Sequence, residues 1–260
     1  MTETASMPST SPLAFRQGGT GPTPIVFVHG MCQSSVFWQP TLDELPAGYC
    51  GYALDLPGFG GSHAVPPIGH GYSIEGHAAA VAEFIVAHGL QGAILVGNSM
   101  GGVVCQMTAV RYGELLSRLM LVATGPNTPN PAAALAAADE EETQVWDRAA
   151  AAEYVTHFFV RPPADLEPYV EAATQASLRG RVDTRRSSAR TDLRPELPTI
   201  GLPTTIVQGE RDGARTPAVG AEMAGLIPNA RLEIVPGVGH TPMLEAPDTW
   251  RSIFHRFLAS

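Results

Sequence analysis

The segment LVGNSMGGVV, residues 95–104, decides how the chain folds. It joins a short apolar run to a second apolar, helix-like run through Gly-Asn-Ser-Met-Gly, with Ser99 at its centre. Glycines two residues before and after a serine permit a very tight turn that lifts the hydroxyl above the end of a buried strand. The same five residues also occur in ordinary glycine-rich turns. A nucleophilic role for Ser99 therefore requires partner residues elsewhere in the chain.

Strand-like and helix-like segments alternate around this turn. Short apolar runs bounded by Gly or Pro predict buried strands at 24–30, 51–56, 92–97, 118–123, 204–209 and 231–236. Helical patterns lie between and after them, at 73–88, 100–112, 217–226 and 247–258. This alternation predicts an α/β fold with an open, mostly parallel, doubly wound sheet.

The stretch 127–197 interrupts the alternation with alanine-rich and charged helical segments and no strand pattern. It predicts a helical cap inserted between strands, with 13–126 and 198–260 forming the core. Residues 1–12, rich in Ser, Thr and Pro, predict a flexible N-terminal tail.

Arginines and acidic residues are both concentrated in the predicted cap. Six arginines lie between positions 179 and 194, and four acidic residues occupy 139–142. The favoured interpretation is a solvated helix face paired with acidic neighbours. The alternative is that one arginine faces the pocket and binds a substrate carboxylate bidentately.

A serine hydroxyl becomes an effective nucleophile when a base accepts its proton and the resulting oxyanion is stabilised. Asp212 follows the predicted strand 204–209, and His240 follows the strand 231–236. Imidazole is the natural base near neutral pH, and a carboxylate behind it fixes its tautomer. Glu210 is a weaker candidate for the acid because it lies closer to its strand. The order Ser99, Asp212, His240 is the one expected for a hydrolase with this turn.

Backbone N–H groups are the candidate oxyanion donors. The turn after VFVHG would aim the N–H of Met31 towards the serine, and the N–H of Met100 begins the helix after the turn. We expect His29 to form a structural hydrogen bond beside the turn glycine, and Asp55 to be structural as well.

The motifs HGM, DLPGFGGS, GNSMGG, GERDGARTP and GVGHTPMLEAP occur in order. Together they resemble the α/β-hydrolase fold family from about residue 13 to residue 259. The resemblance implies that Ser99 is the nucleophile, His240 the base and Asp212 its orienting acid. It also implies that Met31 and Met100 supply the oxyanion hole. A serine at the turn disfavours the dehalogenases and epoxide hydrolases of this fold, which use aspartate there.

The composition and motifs of the chain restrict the kinds of partner and cofactor that it is expected to bind. The net charge of −9 argues against nucleic acid, and no apolar stretch approaches the length of a membrane span. The start of the chain lacks the pattern of a secretory signal, and three widely spaced cysteines predict reduced thiols in the cytoplasm. No phosphate loop, dinucleotide motif or metal-ligand pattern is present, so the sequence implies no cofactor and no metal. We expect a small-molecule substrate, and the oligomeric state is left open.

These observations predict a cofactor-independent serine hydrolase that cleaves carboxylic esters or lactones through an acyl-enzyme. The alternative is a carbon–carbon bond hydrolase of ring-fission diketo acids, because GNSMGG is similar to the motif of those enzymes. However, their longer glycine-rich run after HG is replaced here by HGMCQSS. A ligand receptor built on a hydrolase fold is a further alternative, and a cofactor-free oxygenase has no positive sign in the sequence.

Overall fold

The computed structural model describes residues 11–67 and 69–259. Within these ranges seven strands form one sheet: β1 (Phe15–Gly19), β2 (Thr23–Val28), β3 (Tyr49–Leu54), β4 (Ala93–Asn98), β5 (Leu116–Val122), β6 (Thr204–Gly209) and β7 (Ala230–Val235). Their order is β1-β3-β2-β4-β5-β6-β7. The pair β1–β3 is antiparallel, and the other neighbouring pairs are parallel. The predicted mostly parallel sheet is confirmed.

The same residues contain ten α-helices, several of which begin with a proline or with a side-chain cap. They are α1 (Gln39–Asp43), α2 (Ile74–Ala87), α3 (Met100–Tyr112), α4 (Pro131–Glu141), α5 (Arg148–Thr156), α6 (Glu167–Thr174), α7 (Leu178–Arg190), α8 (Pro217–Leu226), α9 (Pro242–Glu245) and α10 (Pro247–Leu258). The side chain of Ser73 accepts a hydrogen bond from the N–H of Gly76 at the start of α2, and Ser177 does the same for Gly180 in α7. These caps satisfy N–H groups that the first helical turn leaves unpaired.

The six predicted strands and four predicted helices are all present, with ends that differ by at most two residues. Strand β1 was not predicted, because FRQGG lies at the edge of the sheet and is almost entirely exposed. It therefore lacks the apolar run that marks the buried strands. Residues 1–10 of the predicted flexible tail, 1–12, lie outside the described residues.

The centre of the sheet packs directly against helix α3. Every residue of β4 is buried. A Cβ atom at Gly101, in the first turn of α3, would lie 2.4 Å from the main-chain oxygens of Val28 and His29. The helix therefore approaches β2 at backbone distance, which only glycine allows. Because the strands are parallel, their carboxyl ends meet at one edge of the sheet.

Helices α4–α7 lie between β5 and β6, and α4 packs on α7 while α5 packs on α6. The two ends of this helical segment meet where Asn127 and Asp192 form a single antiparallel bridge. Helix α7 also contacts the body of the protein, since Nε2 of His77 lies 2.8 Å from the hydroxyl of Thr184. The helical content of the segment is as predicted, and its bounds as a cap domain, 127–197, stay a prediction.

Candidate active site

Ser99 lies in a strained turn between β4 and α3. Its backbone angles are φ 54° and ψ −120°, a region that residues with a side chain rarely occupy. Such a conformation costs on the order of 1–3 kcal/mol and persists only where its surroundings enforce it. The N–H of Ser99 donates to the oxygen of Val122 over 2.9 Å, and its own carbonyl accepts from the hydroxyl of Thr124 over 2.6 Å. A Cβ atom at Gly97 would lie 2.5 Å from the oxygen of Gly101, so the tight turn depends on glycine.

Ser99, His240 and Asp212 form one continuous hydrogen-bonded chain. The hydroxyl oxygen of Ser99 lies 2.8 Å from Nε2 of His240, and Nδ1 of His240 lies 2.7 Å from Oδ2 of Asp212. The side chain of Asp212 is 1% exposed and that of His240 is 11% exposed. The three residues predicted from the loops after β4, β6 and β7 thus meet at the carboxyl edge of the sheet.

Neighbouring groups fix both partners of the serine. Oδ1 of Asp212 accepts hydrogen bonds from the N–H groups of Ala214 and Arg215, at 2.8 and 2.9 Å. The amide of Asn98 donates to the main-chain oxygen of His240 over 3.1 Å, and the ring of Phe158 stacks on the imidazole with centroids 6.2 Å apart. With Asp212 accepting at Nδ1, the imidazole presents Nε2 as an acceptor to the hydroxyl of Ser99.

Glu210, the weaker candidate for the acid that orients His240, does not contact the histidine. Its carboxylate accepts a hydrogen bond from the N–H of Gly237 over 2.7 Å at an exposed position. It therefore stabilises the loop after β7, whereas the contact with His240 is made by Asp212.

Glu245 was not identified from the sequence, and it holds the histidine loop in place. It is 8% exposed, and its two carboxylate oxygens accept from five donors. Oε2 accepts from the N–H groups of Val160, Arg161 and Gly239, at 2.9, 2.9 and 3.1 Å. Oε1 accepts from the N–H and the hydroxyl of Thr241, at 3.0 and 3.2 Å. A single buried carboxylate thus ties both neighbours of His240 to the helical segment.

The HGM turn lies against Ser99. A Cβ atom at Gly30 would be 3.1 Å from the Cβ of Ser99, and Met31 and Met100 line the same cavity as Ser99. This placement is compatible with the predicted oxyanion donors, whose roles stay a prediction.

His29 and Asp55 are structural, as expected. Nδ1 of His29 lies 2.7 Å from the oxygen of Gly30, and Nε2 accepts from the N–H of Leu56 over 3.0 Å. Burial lowers the pKa of His29, and the negative charge of Asp55 opposes this effect. The carboxylate of Asp55 accepts from the N–H groups of Ser35 and Gly61, at 2.6 and 2.8 Å. These contacts support the loops around the HGM turn.

The three predicted active residues border a cavity of about 590 Å³. Its apolar wall includes Tyr154, Phe158 and Phe159 from the helical segment. Cavities of this size accommodate small organic ligands, since ligand pockets in proteins span roughly 300–1,000 Å³.

Most of the clustered arginines pair with acidic residues as predicted, but the solvated face expected for them is wrong at Arg181 and Arg185, whose side chains are 3% and 19% exposed. Arg179 binds Glu142 and Asp183, Arg186 binds Asp139 and Glu142, and Arg194 binds Asp192. Arg185 differs, because it pairs with Glu141 over 2.6 Å and also lines the cavity.

The cysteines are free and buried, which agrees with the predicted reduced thiols. Burial raises the pKa of Cys32 to about 12, so this residue stays a neutral thiol. Within 11–67 and 69–259 no group of three or more His, Cys, Asp or Glu side chains is arranged to hold a metal ion. No helix in the described part of the chain is long and apolar enough to span a membrane.

Comparisons with known proteins agree with this architecture. The model of a family described as having the α/β hydrolase fold matches residues 23–247. A pimeloyl-[acyl-carrier protein] methyl ester esterase from Vibrio atlanticus is 25% identical over 92% of this chain and 95% of its own length. A non-heme haloperoxidase from Rhodococcus erythropolis is 29% identical over 95% of each chain. The structure of a thermophilic esterase from Thermogutta terrifontis matches with a TM-score of 0.81 and 26% identity, covering 95% of this chain and 93% of that one.

Proposed function

The chain belongs to the α/β hydrolase fold family, and we propose that it is a cofactor-independent serine hydrolase that cleaves carboxylic esters or lactones. The observation that carries this proposal is the hydrogen-bonded chain from Ser99 through His240 to Asp212, with distances of 2.8 and 2.7 Å, at the wall of a cavity. The esterase names of two relatives with comparable coverage support the choice of bond.

In the first half-reaction, the hydroxyl oxygen of Ser99 attacks the carbonyl carbon while Nε2 of His240 accepts its proton. Asp212 stabilises the imidazolium that forms. The N–H groups of Met31 and Met100 donate to the oxyanion, and the positive end of helix α3 adds to this stabilisation. His240 then gives the proton to the departing alkoxide, leaving an ester between Ser99 and the acyl group.

In the second half-reaction, His240 accepts a proton from water, which attacks the acyl-enzyme. The bond between the acyl carbon and Oγ of Ser99 then breaks, His240 returns the proton to this oxygen, and the carboxylic acid is released. With a lactone the alcohol remains attached to the acyl group, so a single hydroxy acid leaves the cavity.

The proposal is tested by turnover of p-nitrophenyl butanoate and of a simple lactone by the wild type and by Ser99→Ala. We expect the variant to lose at least roughly 10⁴-fold in kcat, because the remaining groups have no nucleophile to activate. Ser252→Ala is the matched control, since its hydroxyl lies on α10 and bonds only the oxygen of Asp248 among the described residues. Circular dichroism shows whether each variant is folded. Undiminished turnover in Ser99→Ala contradicts the proposal, and a folded wild type that is silent on all esters and lactones favours the carbon–carbon hydrolase.

A further inference from the structure

The wall of the cavity contains a buried arginine that forms no ion pair with any carboxylate in the described part of the chain. Arg215 is 8% exposed and lines the cavity together with Ser99 and His240. Within the described residues its guanidinium forms no ion pair, and its polar contact is a donation from Nη1 to the main-chain oxygen of Asn127 over 2.5 Å. An arginine carries five N–H donors in a planar fork, so most of its capacity is unused.

The nearby acid is already engaged. Asp212 already accepts hydrogen bonds from His240 and from two main-chain N–H groups, one of which belongs to Arg215 itself. Burial lowers the pKa of Arg215, and the charge of Asp212 only opposes this effect. Arginines are rarely buried without a partner, because desolvation of the charge is unfavourable. An unpaired guanidinium in a substrate cavity therefore calls for an anion supplied by the ligand.

The charge of the whole cavity points the same way. Among the described residues, the lining has three arginines, Arg185, Arg211 and Arg215, and one acidic side chain, Asp212. The chain as a whole has a net charge of −9. The carboxylate of Glu141 pairs with Arg185 and also with Arg181, whose Nη1 lies 3.8 Å from Oε2 of Glu141. Two positive charges therefore share one negative charge. The cavity is thus a positive site in an acidic protein, which attracts and orients anions.

We propose that Arg215 binds a carboxylate of the substrate, so that the hydrolysed ester or lactone carries a second, free carboxylate. This inference rests on the proposed function and narrows its substrate class. A carboxylate matches the guanidinium fork in two parallel hydrogen bonds. The apolar wall formed by Phe158 and Phe159 accommodates the methylene chain between the carboxylate and the scissile carbonyl.

The arrangement also fixes the two ends of such a substrate relative to each other. One carboxylate, Asp212, holds the main chain of Arg215 through Oδ1 and the imidazole of His240 through Oδ2. A Cβ atom at Gly125 would lie 3.0 Å from Nη1 of Arg215, so the glycine leaves room for the guanidinium. Arg215 is therefore a specificity-determining residue positioned by the same acid that orients the base.

The test compares charged esters with neutral isosteres. In one arm the charge is on the acyl group, as in monomethyl adipate and its amide, methyl adipamate. In the other arm the charge is on the alcohol, as in 4-acetoxybutanoate and its amide. The enzymes are the wild type, Arg215→Gln, Arg215→Lys and Arg179→Gln. Arg179 serves as the control because it is half exposed and binds Glu142 and Asp183.

We expect the wild type to prefer the charged ester of at least one arm by about 10- to 100-fold in kcat/KM, chiefly through KM. Arg215→Gln should abolish this preference, Arg215→Lys should retain part of it, and Arg179→Gln should keep the wild-type ratio. A wild-type ratio near unity in both arms, or a ratio that survives in Arg215→Gln, overturns the inference while leaving the proposed function intact.

A binding measurement separates the two proposals if no ester is turned over. Calorimetric titration of Ser99→Ala with adipate and with neutral adipamide needs no catalysis. Adipate that binds at least about tenfold more tightly, and loses this advantage when Arg215→Gln is added, supports the carboxylate site even where the hydrolase proposal has failed. Equal binding of the two compounds, or no binding of either, contradicts it.

Discussion

Replacement of Glu245 by glutamine should lower both the free energy of unfolding and kcat. The carboxylate accepts from four main-chain N–H groups and one hydroxyl, and it joins the loop of His240 to the segment after α5. Glutamine keeps the size of the side chain but replaces one acceptor oxygen by a donor NH₂ group. The change therefore isolates the acceptor function from packing.

The expected cost follows from the individual contacts. The least unfavourable orientation places the amide oxygen at Oε2, where three N–H groups converge. The NH₂ group then faces Thr241, whose hydroxyl can rotate to accept but whose N–H cannot. A buried N–H without an acceptor costs about 1–3 kcal/mol, and three bonds lose the contribution of the negative charge. Together we expect a loss of about 3 kcal/mol in the free energy of unfolding, or roughly 6–12 °C in Tm.

Guanidinium denaturation and thermal melting measure this loss, with Glu44→Gln as the control. Glu44 is exposed and pairs with Arg251, so its replacement should change stability by less than about 0.5 kcal/mol. Because Gly239 and Thr241 flank His240, we also expect kcat of Glu245→Gln to fall by about tenfold or more while KM changes little. A loss below about 1 kcal/mol with wild-type kcat would refute this reasoning.

Three further substitutions test the body of the fold. Burial, with a smaller effect of nearby His29, lowers the pKa of His77 to about 3 from an unfolded value of 6.5. Below pH 6.5 the imidazole of His77 is therefore protonated in the unfolded chain but stays neutral in the folded chain. The free energy of unfolding of the wild type should decrease by about 1.4 kcal/mol for each unit that the pH falls below this value. His77→Gln should flatten the stability curve measured by denaturation between about pH 7 and about pH 4, and equal slopes would contradict the assignment. Gly101→Ala should leave little folded protein in a solubility and melting assay, because its Cβ meets backbone at 2.4 Å. Gly225→Ala, in α8 with open space around it, should instead raise stability by up to about 1 kcal/mol.

The fold was predictable because the signals lie in local runs of sequence. Strands such as β4 are buried on both faces, so their residues are continuously apolar and bounded by glycine. Strand β1 carries no such signal, since four of its five residues are exposed and its place is set by main-chain pairing with β3. Helix α9 was missed for a different reason, because its four residues are too few to show a helical period.

The candidate site was predictable to the extent that it follows strand ends. Ser99, Asp212 and His240 each lie in the turn or loop that follows a strand, and parallel strands bring their carboxyl ends together. Arg215 could not be recognised in this way. It lies in the polar stretch GERDGARTP, and its burial depends on Gly125 and Asn127, almost ninety residues earlier in the chain.

Arginines on one helix were equally indistinguishable by sequence. The arginines of α7 lie among similar polar and small residues in the sequence. Arg179 nevertheless binds Glu142 at the surface, while Arg185 borders the cavity. Which of them borders the cavity is determined by the packing of α7 on α4, a contact between segments that no local pattern specifies.

Ser99 should carry the acyl group during turnover. The most direct measurement is rapid mixing with p-nitrophenyl acetate, followed by acid quenching, intact mass spectrometry and peptide mapping. We predict one acetyl group per chain, located on Ser99, that forms with the burst of p-nitrophenolate and decays at the steady-state rate. Ser99→Ala should show neither adduct nor burst. Full turnover without an acetylated Ser99, or an equal burst in Ser99→Ala, would contradict it.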